Sequence, residues 1–329
     1  MLLPTNMRGL ICILTVLILS LSTYAVDDQS KQKVAMPEGT PILWKEPTDI
    51  QSRDLFLGPG GEAMKPDLSK VTFVEEEKGG YSTKYVVRDG ADRKWTVKIG
   101  KEAQSETAAS RLLWAVGYYT DITYLVPSTQ IEGKGDFQNV RFEARPKEVK
   151  RLGEWKWKDN PFGGTPELEG LKVMMALINN WDTKDSNNRI LQVRDEETGR
   201  DELRYIISDL GATFGKTKDI PLIWRFKHSR SEPGDFSAAK FIDGVKGGTV
   251  NFHYIGQQKS LINKIKVEHV RWIASRLARL SEQQISDAFR AANYSAEEVQ
   301  MLTEAIRARI DELAAIAPEG VVVPQCVDG

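Results

Sequence analysis

Cysteine is almost absent from this chain: there are two, Cys12 and Cys326, in 329 residues. One sits in an apolar leader and the other near the C-terminus, so once the leader is removed no intrachain disulfide can form and packing alone must hold the core. Histidine is nearly as scarce. His228, His253 and His269 are dispersed and have no cysteine pair beside them, so no structural zinc site is expected. There is no excess of charge of one sign, with 45 Lys and Arg against 46 Asp and Glu. That balance gives no basic footprint for nucleic acid. No Gly-x-Ser-x-Gly and no Ser-His-Asp arrangement supports a hydrolase, and no internal repeat or low-complexity tract is visible.

Long apolar runs are missing too, except at the start. Arg8 precedes an apolar stretch from Leu10 to Leu21, and Thr23-Tyr24-Ala25 then leads into Val26-Asp27-Asp28. A basic start, an apolar run and a small-residue exit are the layout of a cleaved secretory signal. The run is shorter than the ~20 residues a spanning helix needs, leaving an uncleaved anchor as the alternative. Ile11 stands before Cys12 where a lipoprotein signal wants a small residue. The expected location is therefore secreted or periplasmic, with no stable membrane span after cleavage.

After the signal, residues 1–25, the sequence divides by composition. Residues 26–65 are polar and spaced by Pro37, Pro41, Pro47 and Pro59, an extended lead-in. Residues 66–150 begin with three β-branched and aromatic runs, Val71–Val74, Thr83–Val87 and Lys94–Ile99. Lys78-Gly79-Gly80 and Asp89-Gly90-Ala91-Asp92 separate them, which predicts an antiparallel meander. A helix follows over Glu102–Val116, then strands near Ile122–Val126 and Val140–Ala144. Residues 151–165, with Trp155, Trp157 and Pro161, read as a crossover, the two tryptophans either packed at the junction or exposed as a carbohydrate-stacking platform. Residues 166–316 read as a largely helical lobe. It contains a helix over Leu168–Asn180, two short strands, Arg189–Val193 and Leu203–Ser208, and a poorly periodic stretch from Gly215 to Gly256. Three helices close it, over Val267–Leu280, Glu282–Ala292 and Ala296–Ala315. Ser281 with Gln284, and Ser295 with Glu298, have capping-box spacing. Residues 317–329 are a tail.

Three weak signals stand in one order along this frame. Lys98, on the third strand, is placed to reach the α- and β-phosphates of a nucleotide, and Glu106, a turn into the next helix, to pair with it. Asp182 precedes Asn187 by five positions and an apolar strand follows, the spacing of a kinase catalytic loop. There Asp182 would orient a substrate hydroxyl and Asn187 would hold a metal. Asp185 competes as the base and Asn188 as the ligand. Asp209 ends an apolar strand and is followed by Gly211, a setting for magnesium bridging phosphates. Each alone is more often a solvated charge or a turn.

Val97-Lys98-Ile99 with Glu106, the Asp182…Asn187 loop and Asp209-Leu-Gly-Ala-Thr-Phe-Gly-Lys216 resemble the atypical branch of the protein-kinase-like superfamily. That branch includes the HipA-type toxin kinases, the phosphatidylinositol kinases, the CotH spore-coat kinases and the secretory casein-kinase-like enzymes. The run from Asp209 to Lys216 is most similar to the last of these. The resemblance implies an α+β, two-lobed fold with a sheet-rich N-lobe and a helical C-lobe. It also implies ATP, Mg2+ or Mn2+, and γ-phosphate transfer to a hydroxyl of a protein, glycan or lipid. On it, Lys184 takes the place of a catalytic-loop lysine, and Gly79, Gly80 and Ser82 that of a short phosphate loop. No histidine precedes Asp182, and the usual Asp-Arg-His core appears as Asp182-Thr183-Lys184. Export and ATP chemistry pull apart, because ATP is expected to be scarce outside the cytosol. An unusual donor, a catalytically inactive nucleotide- or metal-binding module, and a cell-envelope protein whose carboxylates only bind a cation therefore stand as alternatives. The basic segment Arg225–Arg230 falls where an activation or substrate loop would lie, or is a solvated loop.

Overall fold

The computed structural model of the chain describes residues 38–79, 82–220 and 225–316. The signal segment, Gly80 and Cys326 lie outside the described residues. A short strand, β1 (Thr40–Ile42), comes first. The meander follows as β2 (Thr72–Glu77), β3 (Thr83–Arg88) and β4 (Lys94–Ile99). Helix α1 (Glu102–Ala115) then precedes β5 (Thr123–Ile131) and β6 (Gly135–Ala144). These strands make one antiparallel sheet in the order β2-β3-β4-β6-β5. Alternation along β4 sends Trp95 and Val97 to one face, where they join Val87, Tyr124, Val140 and Phe142 in an apolar cluster. Thr96 and Lys98 go to the other face. An antiparallel sheet can leave that second face in water, yet here both residues are buried. Helix α1, itself buried on almost every side, covers it.

The second half begins with β7 (Lys150–Arg151), α2 (Pro166–Leu177), β8 (Asn188–Arg194) and β9 (Asp201–Ile207). Thr165 caps α2 by accepting from the Leu168 N–H, and Pro166 opens the helix. Next come β10 (Thr217–Ile220), β11 (Arg225–His228), α3 (Pro233–Ser237), β12 (Ile242–Lys246), β13 (Thr249–Phe252) and β14 (Ile265–Lys266). The closing helices are α4 (Val267–Leu277), α5 (Glu282–Arg290) and α6 (Ala296–Ala314), and both expected capping boxes are formed. A sheet-rich N-terminal region and a helix-rich C-terminal one are thus present. The stretch expected to be irregular holds two hairpin pairings, β10 with β11 and β12 with β13. Their strands of four or five residues are too short to show a period, although Val250 and Phe252 do alternate inward.

From residue 38 onward the lead-in is more firmly held than its composition predicts. Strand β1 pairs in parallel with β9, and Leu43, Ile50 and Leu55 are part of the large core beside α1 and α2. Gln284 of α5 donates to the Ile50 and Arg53 carbonyls at 2.7 and 3.0 Å. Three apolar residues at irregular spacing carry no periodic signal, so sequence reading sees only the prolines. Trp155 and Trp157 are buried with ring centroids 5.0 Å apart, and the Trp155 indole donates to the Ile206 carbonyl at 2.9 Å. That burial excludes the exposed stacking platform.

The β3–β4 turn is organised by one carboxylate. Asp89 accepts from the N–H groups of Asp67, Ala91 and Arg93, from the Arg93 guanidinium and from the Trp95 indole, all between 2.9 and 3.1 Å. Burial would raise its carboxyl, but these hydrogen bonds and the Arg93 charge hold it below its ordinary 3.8. Its stabilising contribution is therefore present above that value and lost as pH falls through the lowered one. Asp89→Ala leaves several donors unmatched and is expected to cost about 3 kcal/mol. Urea unfolding of both proteins checks this, and the difference is expected to shrink in acid.

Candidate functional site

Lys98 has 1 % of its surface exposed and Glu106 2 %. The ammonium lies 2.5 Å from the Glu106 carboxylate, 3.3 Å from that of Asp209 and 3.5 Å from that of Glu102. A strand lysine is thus gripped by the following helix on one side and by the end of β9 on the other. The fold is protein-kinase-like. What decides this is that geometry together with a five-stranded antiparallel sheet, an intervening helix that bears the pairing glutamate, and a second, helix-rich half that supplies the Asp182…Asn187 and Asp209 segments.

No family model and no curated protein matches the chain. Among solved structures, the proinflammatory kinase CtkA of Helicobacter pylori is similar with a TM-score of 0.46. Its identity is 12 %, over 74 % of this chain and 95 % of that one. The Rio2 kinase of Chaetomium thermophilum, in an ADP/Mg2+-phosphoaspartate complex, has a TM-score of 0.31 and 14 % identity over 76 % of this chain and 74 % of its own. The Golgi casein kinase with Mn/ADP bound has a TM-score of 0.35 and 7 % identity over 76 % and 73 %. The kinase-like description rests on this chain's own architecture.

The two loops of the second half are joined by backbone hydrogen bonds. The Ser208 and Asp209 N–H groups both donate to the Asn187 carbonyl, at 2.8 and 3.2 Å. Trp181 N–H donates to Ala212 and Phe214 N–H to Ile178, while the Asn179 amide reaches the Gly215 carbonyl at 2.6 Å. Asn179 and Phe214 take left-handed backbone, φ 50° and 51°. For a residue as bulky as Phe that conformation is strained. Phe214 is fully buried with its ring against Phe236 and Phe289, which holds it there.

Asp182 is fixed from both sides. Its N–H donates to the Asn180 side chain at 3.0 Å, and the Asn187 amide donates to its carbonyl at 2.5 Å. Lys184 lies 2.8 Å from the Asp182 carboxylate. Asp185, the competing base, accepts from the Trp157 N–H and from Gln258 at 3.1 Å each, so it is engaged in holding the loop. Asn188 is buried and donates to the Trp155 carbonyl, whereas Asn187 lines the cleft that also holds Lys98 and Asp209. Of the proposed phosphate loop, Gly79 has φ 123° with open space around its Cα. The Ser82 hydroxyl donates to Glu102 at 2.7 Å and so turns towards α1. Arg230, from the basic segment, pairs with Glu102 as well and lies over the Trp181 ring, on which His228 also stacks.

Sequence reading missed the second charge layer. Arg141 of β6 pairs with Glu106 and, at 2.6 Å, with Glu143; Arg145 also pairs with Glu143. Arg151 joins Asp121 at 2.5 Å and Ser208 at 2.7 Å. The available signal was Arg141-Phe-Glu143-Ala-Arg145, charges at every second position of a strand whose intervening residues are apolar. Burial lifts the Glu106 carboxyl to about 7, against the pull of Arg141 and Lys98. Burial also opposes charge on Lys98, but Glu106 and Asp209 outweigh it and its pKa is raised. The ammonium therefore stays charged, and Glu106 is the partner that titrates. Asp209, lifted by burial, is held below the ordinary range by Lys98, the Gly211 N–H and Arg141. Glu143, similarly buried, is pulled low by Arg145, Arg141 and Arg151.

Removing one partner of a buried ion network is costly, so Arg141→Ala is expected to lose about 3–5 kcal/mol. Glu106 has a raised pKa, so its contribution is present below the ordinary 4.5 and lost as pH rises through about 7. The penalty of Arg141→Ala should accordingly be larger at about pH 8 than at about pH 6, when Glu106 takes up a proton. Urea midpoints at the two values test this; equal losses would place the titrating carboxylate elsewhere.

Proposed function

We propose that the chain is an exported kinase that moves a terminal phosphoryl group from ATP to a hydroxyl of a protein, glycan or lipid, with a divalent metal. The observation that carries the reading is the convergence of Lys98, Asp209 and Asn187 on one cleft of ≈ 420 Å³. Export is supported by the leader sequence alone. Among the described residues no helix is long and apolar enough to cross a membrane.

The residues fit a metal held jointly with phosphates. Asp209 supplies a carboxylate and Asn187 an amide oxygen, since its NH2 is engaged on the Asp182 carbonyl. These are hard oxygen donors of the kind Mg2+ and Mn2+ accept. Among the described residues no group of three or more His, Cys, Asp or Glu could hold a metal ion, so a bound metal would need phosphate oxygens among its ligands. When bound, the metal neutralises charge on the transferring phosphate.

The protein's own part is positioning and proton handling. Lys98, directed by Glu106, binds phosphate oxygens. Asp182, fixed by Asn180 and Asn187, accepts the proton of the acceptor hydroxyl and passes it to water. The acceptor oxygen forms the new bond to the terminal phosphorus, the bridging P–O bond breaks, and ADP leaves with that electron pair. Lys184, beside Asp182, neutralises charge near the transferred group.

Transfer of label from γ-labelled ATP to serine-, threonine- or sugar-bearing acceptors, or to the chain itself, tests the reading. Asp182→Ala is expected to lower transfer about 10²–10⁴-fold with nucleotide binding largely intact. Asp209→Ala and Asn187→Ala should weaken nucleotide binding only when metal is present. Asn188→Ala should instead lower stability, because its amide bridges to Trp155. A chain that binds nucleotide and metal but transfers nothing to any acceptor would be the inactive binding module.

A further inference from the structure

Among the described residues that line the cleft, none offers an apolar or aromatic surface on which a base would stack. Fourteen described residues line it, and none is apolar or aromatic. Six are cations, Lys84, Lys98, Arg141, Arg145, Arg151 and Arg189. Four are carboxylates, and the others are Thr, Ser or Asn. Small-molecule sites are ordinarily walled by apolar and aromatic side chains that cover a flat ring. A purine laid here would displace water from paired charges and gain little apolar contact in return, which is unfavourable. Phosphate oxygens are the opposite case, since lysine and arginine bind them through strong charge-assisted hydrogen bonds.

The sheet register supplies a second, independent observation. Lys84 stands directly opposite Lys98 across β3 and β4, and Lys98 directly opposite Arg141 across β4 and β6. Three cations therefore stand in a row on one face of the sheet, with successive Cβ atoms about 4.5–5.5 Å apart. Like charges in opposed positions destabilise a sheet, so such a row calls for anions laid along it. Glu106 and Asp209 cover Lys98, and Glu106 and Glu143 cover Arg141. Among the described residues Lys84 has no carboxylate within ion-pair distance, although its charge does act on Asp209. The outer end of the row is thus open to a further anion.

We propose that the cleft reads the condensed-phosphate chain of its donor and not the base, so that ATP, GTP and linear inorganic tripolyphosphate occupy it alike. This rests on the phosphoryl-transfer reading above and names its donor class. With tripolyphosphate the acceptor oxygen bonds to a terminal phosphorus and the bridging P–O bond breaks. Pyrophosphate leaves with the electron pair, and the acceptor proton goes to Asp182 and then to water. A site of this kind also removes the dependence of an exported kinase on ATP.

Competition against labelled ATP, with Mg2+ or Mn2+ present, tests it on the purified chain using GTP, sodium tripolyphosphate and adenosine. GTP and tripolyphosphate are expected to displace ATP with constants within about threefold of its own, and adenosine not at all. Lys84→Ala, at an intermediate-exposure strand position, should weaken all three phosphates together by about tenfold. Displacement by adenosine, or GTP and tripolyphosphate weaker than ATP by about thirtyfold or more, would overturn the proposal and leave phosphoryl transfer from ATP standing. Binding of no triphosphate at all would overturn both.

Discussion

An ammonium almost wholly removed from water keeps its proton only where carboxylates surround it. Lys98 is such a group, and most of the site follows from satisfying it. Glu106 meets it from α1, Asp209 from the end of β9, and Glu102 from the first turn of α1. Those carboxylates need cations in turn, which brings in Arg141 and Arg230. One buried charge therefore ties the sheet, the helix and the second half of the chain at the cleft. Such a network is not a source of large net stability, because desolvation offsets most of its Coulomb energy. Its value lies in fixing directions. Each member restricts where its neighbours can point, so the cations that line the cleft are already aimed.

The loops that complete the site are placed by a different device. Asn187 does double duty: its carbonyl receives two N–H groups from the Asp209 segment, and its side chain holds the backbone of Asp182. The strained Phe214, packed on Phe236 and Phe289, anchors the end of that segment to the helical core. Packing in α5 and α3 thus reaches the site through the Phe214 ring. Tyr254, whose hydroxyl donates to the Asn180 carbonyl at 2.7 Å, does the same for the start of the loop.

Much of this was legible in the residues. The meander, α1 and the three closing helices carry a clear period of two or of three to four. Ser281–Gln284 and Ser295–Glu298 announce their caps by chemistry alone. Order and spacing single out Lys98, Glu106, Asp182, Asn187 and Asp209, and the structure brings Lys98, Glu106, Asn187 and Asp209 to one cleft. Other features depend on contacts between distant segments. Leu43, Ile50 and Leu55 have no period, and their burial comes from helices far along the chain. Arg141 and Glu143 look like the wet face of a strand until α1 covers it. Whether Asn187 or Asn188 faces the cleft turns on a single residue's register, which spacing does not resolve. The row of cations from Lys84 to Arg141 exists only through strand pairing.

On the proposed reading, these charges form a site for a polyphosphate held together with a metal. Thermal unfolding of the purified chain with ATP plus Mg2+ or Mn2+, compared with nucleotide alone and metal alone, tests it most directly. A ligand at a hundred times its dissociation constant stabilises the native state by about 2.7 kcal/mol, a rise of a few degrees for a chain of this size. That rise is expected only when both components are present. An unchanged melting temperature, or an equal rise with either component alone, would contradict it.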